Sequence, residues 1–194
     1  YQETVYWLTL INESGLKLSQ IKPIIQRWRV VEQRSLAELF EMTPLDWSTT
    51  FGLPAAAVQG VESMGPQLEK QAALLARWQA QGIETLTRLD PRYPKRLADA
   101  LPPAQQPLLL WAQGALDLLN RPAVAMLGSQ TPDDNSATEL IEDLMKALTS
   151  EEINLVSGYS RGLDRATFET MLTTAGGRAM TVLPMGLAAF AKTT

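Results

Sequence analysis

Two glycine- and serine-containing segments are the residues of this chain best suited to bind an anion. Each follows a short apolar run typical of a buried strand, at residues 124–127 and 153–156, and each leads into an amphipathic stretch. The start of a helix presents unpaired N–H groups and a partial positive charge. Glycine lets the backbone approach closely, serine donates a hydroxyl, and arginine adds charged donors. The predicted phosphate-binding residues are Gly128, Ser129, Gln130, Ser157, Gly158, Arg161, Gly162 and Asp164.

Simpler interpretations of the same residues stay open. The glycines would also suit tight turns between strand and helix, without any ligand. Asp164 falls in the first turn of a predicted helix, where a carboxylate is favourable as a cap or beside the helix dipole. No second carboxylate pairs with it for acid–base work, and Gly128 belongs to neither a GxGxxG nor a Walker A pattern.

The composition excludes several classes of enzyme. The 194 residues include no Cys and no His, which removes thiol nucleophiles, zinc–thiolate sites and Ser-His-Asp catalysis. The sequence therefore predicts a non-enzymatic protein with no catalytic residue, no metal site and no cofactor. A net charge of −4 argues against non-specific coating of nucleic acid. No apolar run approaches the roughly 18 residues of a membrane span, and the polar N-terminus is no signal peptide, so we expect a cytoplasmic protein without membrane contact.

The elements that must position these residues fall into two predicted domains of an α/β protein. Residues 1–82 are predicted as short helices forming a compact module, with a stop at Gly15, a capping box at Ser35 and Glu38, and proline in the first helical position at Pro44 and Pro54. Residues 83–194 are predicted to begin with an extended, proline-rich segment. Strand, helix, strand, helix and strand then follow, which predicts a parallel sheet with helices on both faces. Ligands of such sheets bind at the carboxyl ends of the strands.

Basic and aromatic residues outside these segments carry weaker signals. Arg88, Arg92, Lys95 and Arg96 form a basic cluster interrupted by Asp90, which is either a solvated surface or a nucleic-acid contact. The tryptophans are able to stack on bases, but Trp28 and Trp78 occupy apolar helical faces, for which core packing is the better interpretation.

Residues 83–190 resemble the DprA/Smf family of DNA-processing proteins. The order, spacing and chemistry of the matching segments agree over about a hundred residues. The N-terminal helices resemble the SAM-like or helix-hairpin-helix region of many members. The matching segments are Asp90-Pro-Arg-Tyr-Pro-Lys-Arg-Leu97, Pro102-Pro103, Leu108-Leu-Leu-Trp-Ala-Gln-Gly114, Asn120-Arg-Pro-Ala-Val-Ala-Met-Leu-Gly-Ser129, Val156-Ser-Gly-Tyr-Ser-Arg-Gly-Leu-Asp164 and Ala175-Gly-Gly-Arg178.

The resemblance implies an extended Rossmann-type domain whose strand-end loops hold phosphates of single-stranded DNA. It implies that the protein protects incoming DNA and loads a RecA-type recombinase during natural transformation. It also implies a homodimer, with the dimer and recombinase interfaces lying mostly beyond residue 194. By position, Gly128 and Ser129 correspond to the first phosphate loop, and the second loop comprises Ser157, Gly158, Arg161, Gly162 and Asp164.

Three departures from the family pattern predict weaker DNA binding. Gln130 stands where the family usually has Arg, Asp133 and Asp134 add negative charge beyond the first loop, and Phe168 stands where many members have His. From residue 120 onward the chain has 6 basic and 9 acidic residues, a balance of −3. DNA binding is expected to be weak and salt-sensitive, or lost.

Two alternative functions stay open from the residues alone. The loops suit the phosphate of a free nucleotide or another small molecule as well as a phosphate in a polymer, so a divergent small-molecule binder that has lost DNA binding is one alternative. A protein-interaction role, with the N-terminal helices as an adaptor, is the other.

Overall fold

A computed structural model describes residues 2–129 and 135–190, except for the side chains of residues 135–138 and 188. Internal contacts divide the chain into two compact units, Tyr1–Gly114 and Ala115–Thr194. No helix in the described part of the chain is long and apolar enough to cross a membrane.

The first unit consists of helices followed by a two-stranded antiparallel ribbon, in which β1 pairs with β2. The helical character predicted for residues 1–82 is confirmed. The elements in chain order are α1 (Glu3–Glu13), α2 (Leu18–Ile25), a π-helical segment (Gln26–Val31), α3 (Leu36–Phe40), α4 (Pro44–Phe51), α5 (Ala55–Glu62), a 3-10 turn (Gly65–Gln67), α6 (Leu68–Ala80), β1 (Ile83–Thr87), α7 (Lys95–Ala100) and β2 (Leu109–Gln113).

Local sequence signals set several of these helix ends. The Ser35 hydroxyl accepts from the Glu38 amide at 3.3 Å, and the Glu38 carboxylate accepts from the Ser35 amide at 3.0 Å, which confirms the capping box. Pro44 is the first residue of α4, as predicted. Pro54 lies one residue before α5 instead of in its first position, so that prediction is wrong by one residue. Gly15 has φ +69° just after α1, as its predicted role as a helix stop requires.

The prediction of an extended, irregular segment after Gly82 is wrong in two places. Residues 83–87 pair with residues 109–113 as a regular antiparallel ribbon. The two strands lie too far apart in the sequence for hydrophobic periodicity to reveal that they pair. Helix α7 begins directly after Pro94, at the N-cap, and ends before Pro102. Proline is compatible with that position because its missing N–H is not needed there.

The ribbon shares the core of the helices. Leu108 and Leu109 are buried in the same cluster as Trp7, Trp28 and Leu10. Contacts therefore group residues 83–114 with the helices. The predicted domain boundary between residues 82 and 83 stays a prediction.

Gly60 in α5 is predicted to tolerate no side chain. A Cβ there would lie 2.3 Å from the backbone oxygen of Ser14, which is unable to move aside as a flexible side chain would. Gly→Ala inside a helix normally stabilises by about 1 kcal/mol, whereas we expect Gly60→Ala to destabilise the first unit by about 2 kcal/mol. Urea denaturation followed by tryptophan fluorescence measures this unit selectively, because all five tryptophans lie within residues 7–111.

Gly65→Ala is the matched control for that variant. A Cβ at Gly65 meets no atom within 4 Å, and the backbone there is not left-handed. Its unfolding midpoint should stay the same or rise slightly. A Gly60→Ala protein as stable as the Gly65→Ala protein would contradict the close packing of α5 on the end of α1.

The second unit contains a three-stranded parallel sheet in the order β3-β4-β5. Val124 pairs with Leu155, and Leu155 pairs with Ala179. The α/β class and the parallel sheet are confirmed. The elements in chain order are a 3-10 turn (Leu116–Asn120), β3 (Ala123–Ala125), α8 (Asn135–Ser150), β4 (Asn154–Ser157), α9 (Leu163–Thr173), β5 (Ala179–Thr181) and α10 (Leu187–Phe190).

Helices α8 and α9 form one layer against this sheet. Met145 of α8, Leu155 of β4 and Met171 of α9 are fully buried in one cluster, and the Thr149 hydroxyl lies 3.4 Å from the Met171 sulfur. The strands follow one another in linear order, so two right-handed crossovers bring both helices to the same side. In the described residues of this unit, the two crossover helices α8 and α9 therefore lie on the same face of the sheet.

Candidate nucleic-acid interface

Two loops meet at the carboxyl edge of the second unit's sheet. The first loop (residues 126–129) follows β3, and the second loop (residues 158–162) follows the neighbouring parallel strand β4. The amide of Leu163, at the start of α9, donates to the backbone oxygen of Ser129 at 3.0 Å. The two segments that the sequence singles out are therefore in direct contact, as a shared binding site requires.

The Asp164 carboxylate connects the two loops. Its Oδ1 atom accepts the Gly128 amide at 3.1 Å, and its Oδ2 atom accepts the Ser160 hydroxyl. The residue is 4% exposed although it carries a carboxylate. Buried carboxylates of this kind are stable only when they are hydrogen-bonded. Asp164 is not the cap of α9, which is Gly162, but it lies in the first turn of that helix, as predicted for a carboxylate beside the helix dipole. Its side chain reaches across to the first loop and fixes the spacing between the loops.

Ser157 also acts within the protein. Its hydroxyl donates to the backbone oxygen of Asp164 at 2.9 Å and accepts the amide of Tyr159 at 3.0 Å. The residue is 2% exposed, and these bonds use its donor and one acceptor site. Its contacts therefore make Ser157 a residue that shapes the second loop.

Glycine is required at two positions by geometry. Gly162 has φ +87° and ψ −131°, a region that residues with a Cβ avoid. A Cβ at Gly128 would lie 2.0 Å from the Leu163 Cδ2 atom, because the first loop passes directly against the start of α9. Gly158 is less restricted, since a Cβ there would lie 3.5 Å from an Asp164 oxygen.

Two arginines present positive charge at this edge. Arg161 is exposed and makes no hydrogen bond or ion pair with another residue in the described part of the chain. Arg165, four positions later, is also exposed, and its guanidinium lies 4.7 Å from the centre of the Tyr159 ring. Ser160 is exposed between them. Gln130, Asp133 and Asp134 lie outside the described residues.

Tyr159, within the second loop, belongs to an aromatic group that sequence reasoning missed. Its ring meets Phe168 edge-on at 5.2 Å and Phe190 at 5.4 Å between centroids, and its hydroxyl contacts Glu169 at 3.3 Å. Tyr159 has φ +54°, which turns the chain directly after β4. Sequence reasoning also missed Arg165. Arg165 could have been found from its position four residues after Arg161, a spacing that brings two side chains to the same side of a helix.

The basic cluster of the first unit is partly neutralised. Arg92 contacts the carboxylates of both Asp90 and Glu84. Hydrogen bonds from Arg92 hold the pKa of Asp90 below its usual value, despite partial burial. Arg92 is therefore committed to internal ion pairs, and of the four predicted cations it is the one least suited to contact a ligand.

The tryptophans lie mainly in the core. Trp7, Trp28 and Trp47 are buried, which confirms core packing for Trp28. Trp78 is half-buried and meets Trp111 edge-on at 5.9 Å. Trp111 is exposed and keeps a surface on which a base could stack.

The fold and the loops place the second unit in the class of Rossmann-like α/β proteins, whose ligands bind at the carboxyl ends of parallel strands. The family model described as "DNA recombination-mediator protein A" matches residues 84–193, and the chain belongs to this family.

Two known proteins illustrate the similarity. The chain is 33% identical over 110 residues to "DNA processing protein DprA" of Streptococcus pneumoniae (strain ATCC BAA-255 / R6), a match that covers 57% of this chain and 37% of that protein. The X-ray structure of DNA processing protein A (DprA) from Streptococcus pneumoniae matches with a TM-score of 0.62 at 24% identity. That match covers 95% of this chain and 59% of the solved chain, and it shows a shared fold.

Proposed function

We propose that this chain acts in DNA processing as a recombination mediator, and that its second unit binds single-stranded DNA at the two loops. The observation that carries the proposal is the joining of the loops through Asp164, beside an Arg161 that is exposed and has no hydrogen-bond or ion-pair partner among the described residues. Family membership supports the DNA-processing role. The chain spans 37% of the curated relative, so the activity of the whole protein is part of the proposal.

The proposed contacts are electrostatic and geometric. The Arg161 guanidinium pairs with a phosphate, and the backbone N–H groups before α9 supply neutral donors. Arg165 and the ring of Tyr159 lie close enough together to contact the adjoining nucleotide by charge and by stacking. None of these contacts recognises a base edge, so binding is expected to be independent of sequence. The proposal assigns no catalytic residue.

Few cations take part, so affinity is expected to be weak and to depend on salt. The second loop offers Arg161 and the first turn of α9 offers Arg165, and the chain from residue 120 onward carries 9 acidic residues against 6 basic ones. The Asp164 carboxylate lies close to the proposed phosphate and opposes it. Its bonds to Gly128 and Ser160 reduce that repulsion.

Arg161→Ala is expected to weaken binding of oligothymidylate about tenfold. The salt slope of the logarithm of the binding constant should become shallower by about one unit, because one phosphate contact is lost. Fluorescence anisotropy of a labelled strand at several salt concentrations measures both quantities.

Arg121→Ala is the matched control for the loss of a positive charge. Arg121 has a side chain that is 41% exposed, and it pairs with Asp117. It lies just before β3, at the opposite end of that strand from Gly128. Its removal should change affinity less than twofold, within the effect of long-range charge alone. Equal losses in the two variants would mean that net charge, not the loops, sets the affinity.

Two further roles belong to the same proposal. We infer that the complete protein protects single-stranded DNA and loads a RecA-type recombinase onto it, as a homodimer. Nuclease protection of a bound strand tests the first role. Strand exchange by a purified recombinase, with and without the full-length protein, tests the second. Unchanged exchange on strands that the protein demonstrably binds would remove the loading role and leave DNA binding intact.

A phosphate-bearing small molecule is the second candidate ligand for the loops. The single exposed arginine of the second loop and the acidic balance of residues 120–194 favour a small anion over a long polyanion. Thermal unfolding with free nucleotides and with oligothymidylate separates the two cases, since a ligand of the folded state raises the midpoint. If free nucleotides raise the unfolding midpoint, oligothymidylate does not, and Arg161→Ala abolishes the nucleotide effect, the loops bind a small molecule and not DNA.

A further inference from the structure

A cleft in the first unit brings two cations together with no acid between them. Its cavity of about 410 Å³ lies among α2, the π-helical segment, α7 and the residues after β1. Its charged lining residues in the described structure are Lys22 and Arg88, and no Asp or Glu lines it. The complete lining is Trp7, Lys22, Ile25, Gln26, Val30, Arg88, Leu89, Ala98 and Leu108.

Arg88 is half-buried, and its guanidinium has no acceptor within the described residues. Its backbone is fixed, because its amide donates to the Leu108 oxygen at 2.9 Å as an extension of the ribbon. A partly buried guanidinium without an acceptor loses water without replacing those hydrogen bonds. An anion in the cleft would restore them with charge-assisted bonds.

Lys22 is held in place without being neutralised. Its ammonium donates to the backbone oxygens of Pro103 at 2.9 Å and of Ala104 at 2.6 Å. An ammonium group has three donors, so one is left for a ligand, and both acceptors are uncharged. Among the described residues that line the cleft, no acidic side chain therefore neutralises either cation.

The rest of the cleft suits an organic body attached to that anion. Ile25 and Leu108 form a buried apolar floor, while Val30 and Leu89 stand exposed at the rim. Gln26 adds an exposed amide that is able to donate and to accept. Gln26 and Val30 belong to the π-helical segment, a local geometry that is frequent at functional sites. The cavity volume falls within the usual range for small ligands.

We propose that this cleft binds a nucleoside monophosphate, with the phosphate between Arg88 and Lys22 and the base against Val30 and Leu89 beside Gln26. The nucleotide is either free or the 5′-phosphorylated end of a DNA strand. This site is separate from the loops of the second unit, so it does not depend on the function proposed for them.

Calorimetric titration of the whole chain with adenosine 5′-monophosphate tests the proposal. Adenosine and inorganic phosphate should each bind at least about tenfold more weakly, because each lacks half of the contacts. Arg88→Gln should weaken nucleotide binding at least about tenfold. Val30→Asp, a carboxylate at the exposed rim, should weaken it to a similar extent. The unfolding midpoint of each variant shows that it is folded.

Arg77→Gln and Arg161→Ala are the matched controls. Arg77 is exposed on α6, outside the cleft, and has no partner in the described part of the chain. Arg161 belongs to the second unit. Neither change should alter nucleotide affinity by more than twofold. Loss of nucleotide binding in Arg161→Ala alone would place the nucleotide at the loops and overturn the cleft proposal, and so would binding that Arg88→Gln leaves unchanged.

The source of the nucleotide is decided by competition in the Arg161→Ala protein. Displacement of adenosine monophosphate by a 5′-phosphorylated oligothymidylate, and not by the same strand with a 5′-hydroxyl, assigns the cleft to strand ends. No displacement by either strand assigns it to free nucleotides. Equal binding of adenosine monophosphate and inorganic phosphate would contradict a nucleoside site.

Discussion

Asp164→Ala is expected to destabilise the second unit by about 3 kcal/mol and to weaken binding of single-stranded DNA by at least tenfold. The variant leaves the Gly128 amide and the Ser160 hydroxyl without the acceptor that now joins them. Hydrogen bonds to a charged group are each worth roughly 1.5–3 kcal/mol. Far-UV circular dichroism in urea is the appropriate measurement, because the tryptophans all lie in the first unit.

The direction of the DNA effect separates two explanations of Asp164. If the carboxylate acted only through its charge, removing it would strengthen binding of a phosphate. Because it fixes the spacing of two loops, its removal should weaken binding instead. Tighter DNA binding by Asp164→Ala, measured by anisotropy at constant salt, would contradict the positioning role.

Two further variants sharpen that comparison. Asp164→Asn keeps an oxygen for the Gly128 amide, and the Ser160 hydroxyl is able to rotate and accept from the new amide group. It should therefore retain more than half of the lost stability. Asp143→Ala removes a highly exposed carboxylate on α8, and it should cost less than about 0.5 kcal/mol.

Gly128→Ala is expected to destabilise the second unit strongly, because the added methyl group would overlap with the Leu163 side chain. The added Cβ would lie 2.0 Å from the Leu163 Cδ2 atom and 2.7 Å from its Cβ, so rotation of the leucine side chain alone does not relieve the contact. The loop and the start of α9 must separate, at a cost of about 2–3 kcal/mol. DNA affinity should fall with the loss of the bond between Leu163 and Ser129.

Gly186→Ala is the control for that substitution in the same unit. A Cβ at Gly186 meets no atom within 4 Å, and the backbone there is not left-handed. Stability and DNA binding should both stay within experimental error. If Gly128→Ala has the same unfolding midpoint and the same DNA affinity as the unchanged protein, the first loop does not pack against α9 as described.

The parallel sheet and its loops could be predicted because their signals are local. Three apolar runs separated by amphipathic stretches define the order of strands and helices, and the right-handed crossover then places consecutive strand ends at one edge. The glycines at 128 and 162 mark the positions of closest approach and of unusual backbone geometry. Adjacency of the two loops followed from topology alone.

The roles of individual side chains could not be predicted because they depend on contacts between distant residues. Asp164 lies in the first turn of α9, as predicted, yet its side chain accepts a hydrogen bond from Gly128, 36 residues away. Ser157 has the position of a phosphate ligand, but its hydroxyl is used inside the loop. The pairing of β1 with β2 also could not be predicted from the sequence, because about twenty residues separate the two strands and periodicity reports only local structure.

An NMR titration of the backbone amides with a short oligothymidylate shows whether the two loops bind the phosphates of DNA. The largest shifts should fall on the amides of Ser129, Ser160, Arg161 and Gly162, at the edge where β3 and β4 end. These shifts should disappear in Arg161→Ala at the same strand concentration. Shifts confined to residues 1–114, or spread evenly over the exposed basic residues, would contradict a phosphate site at these loops.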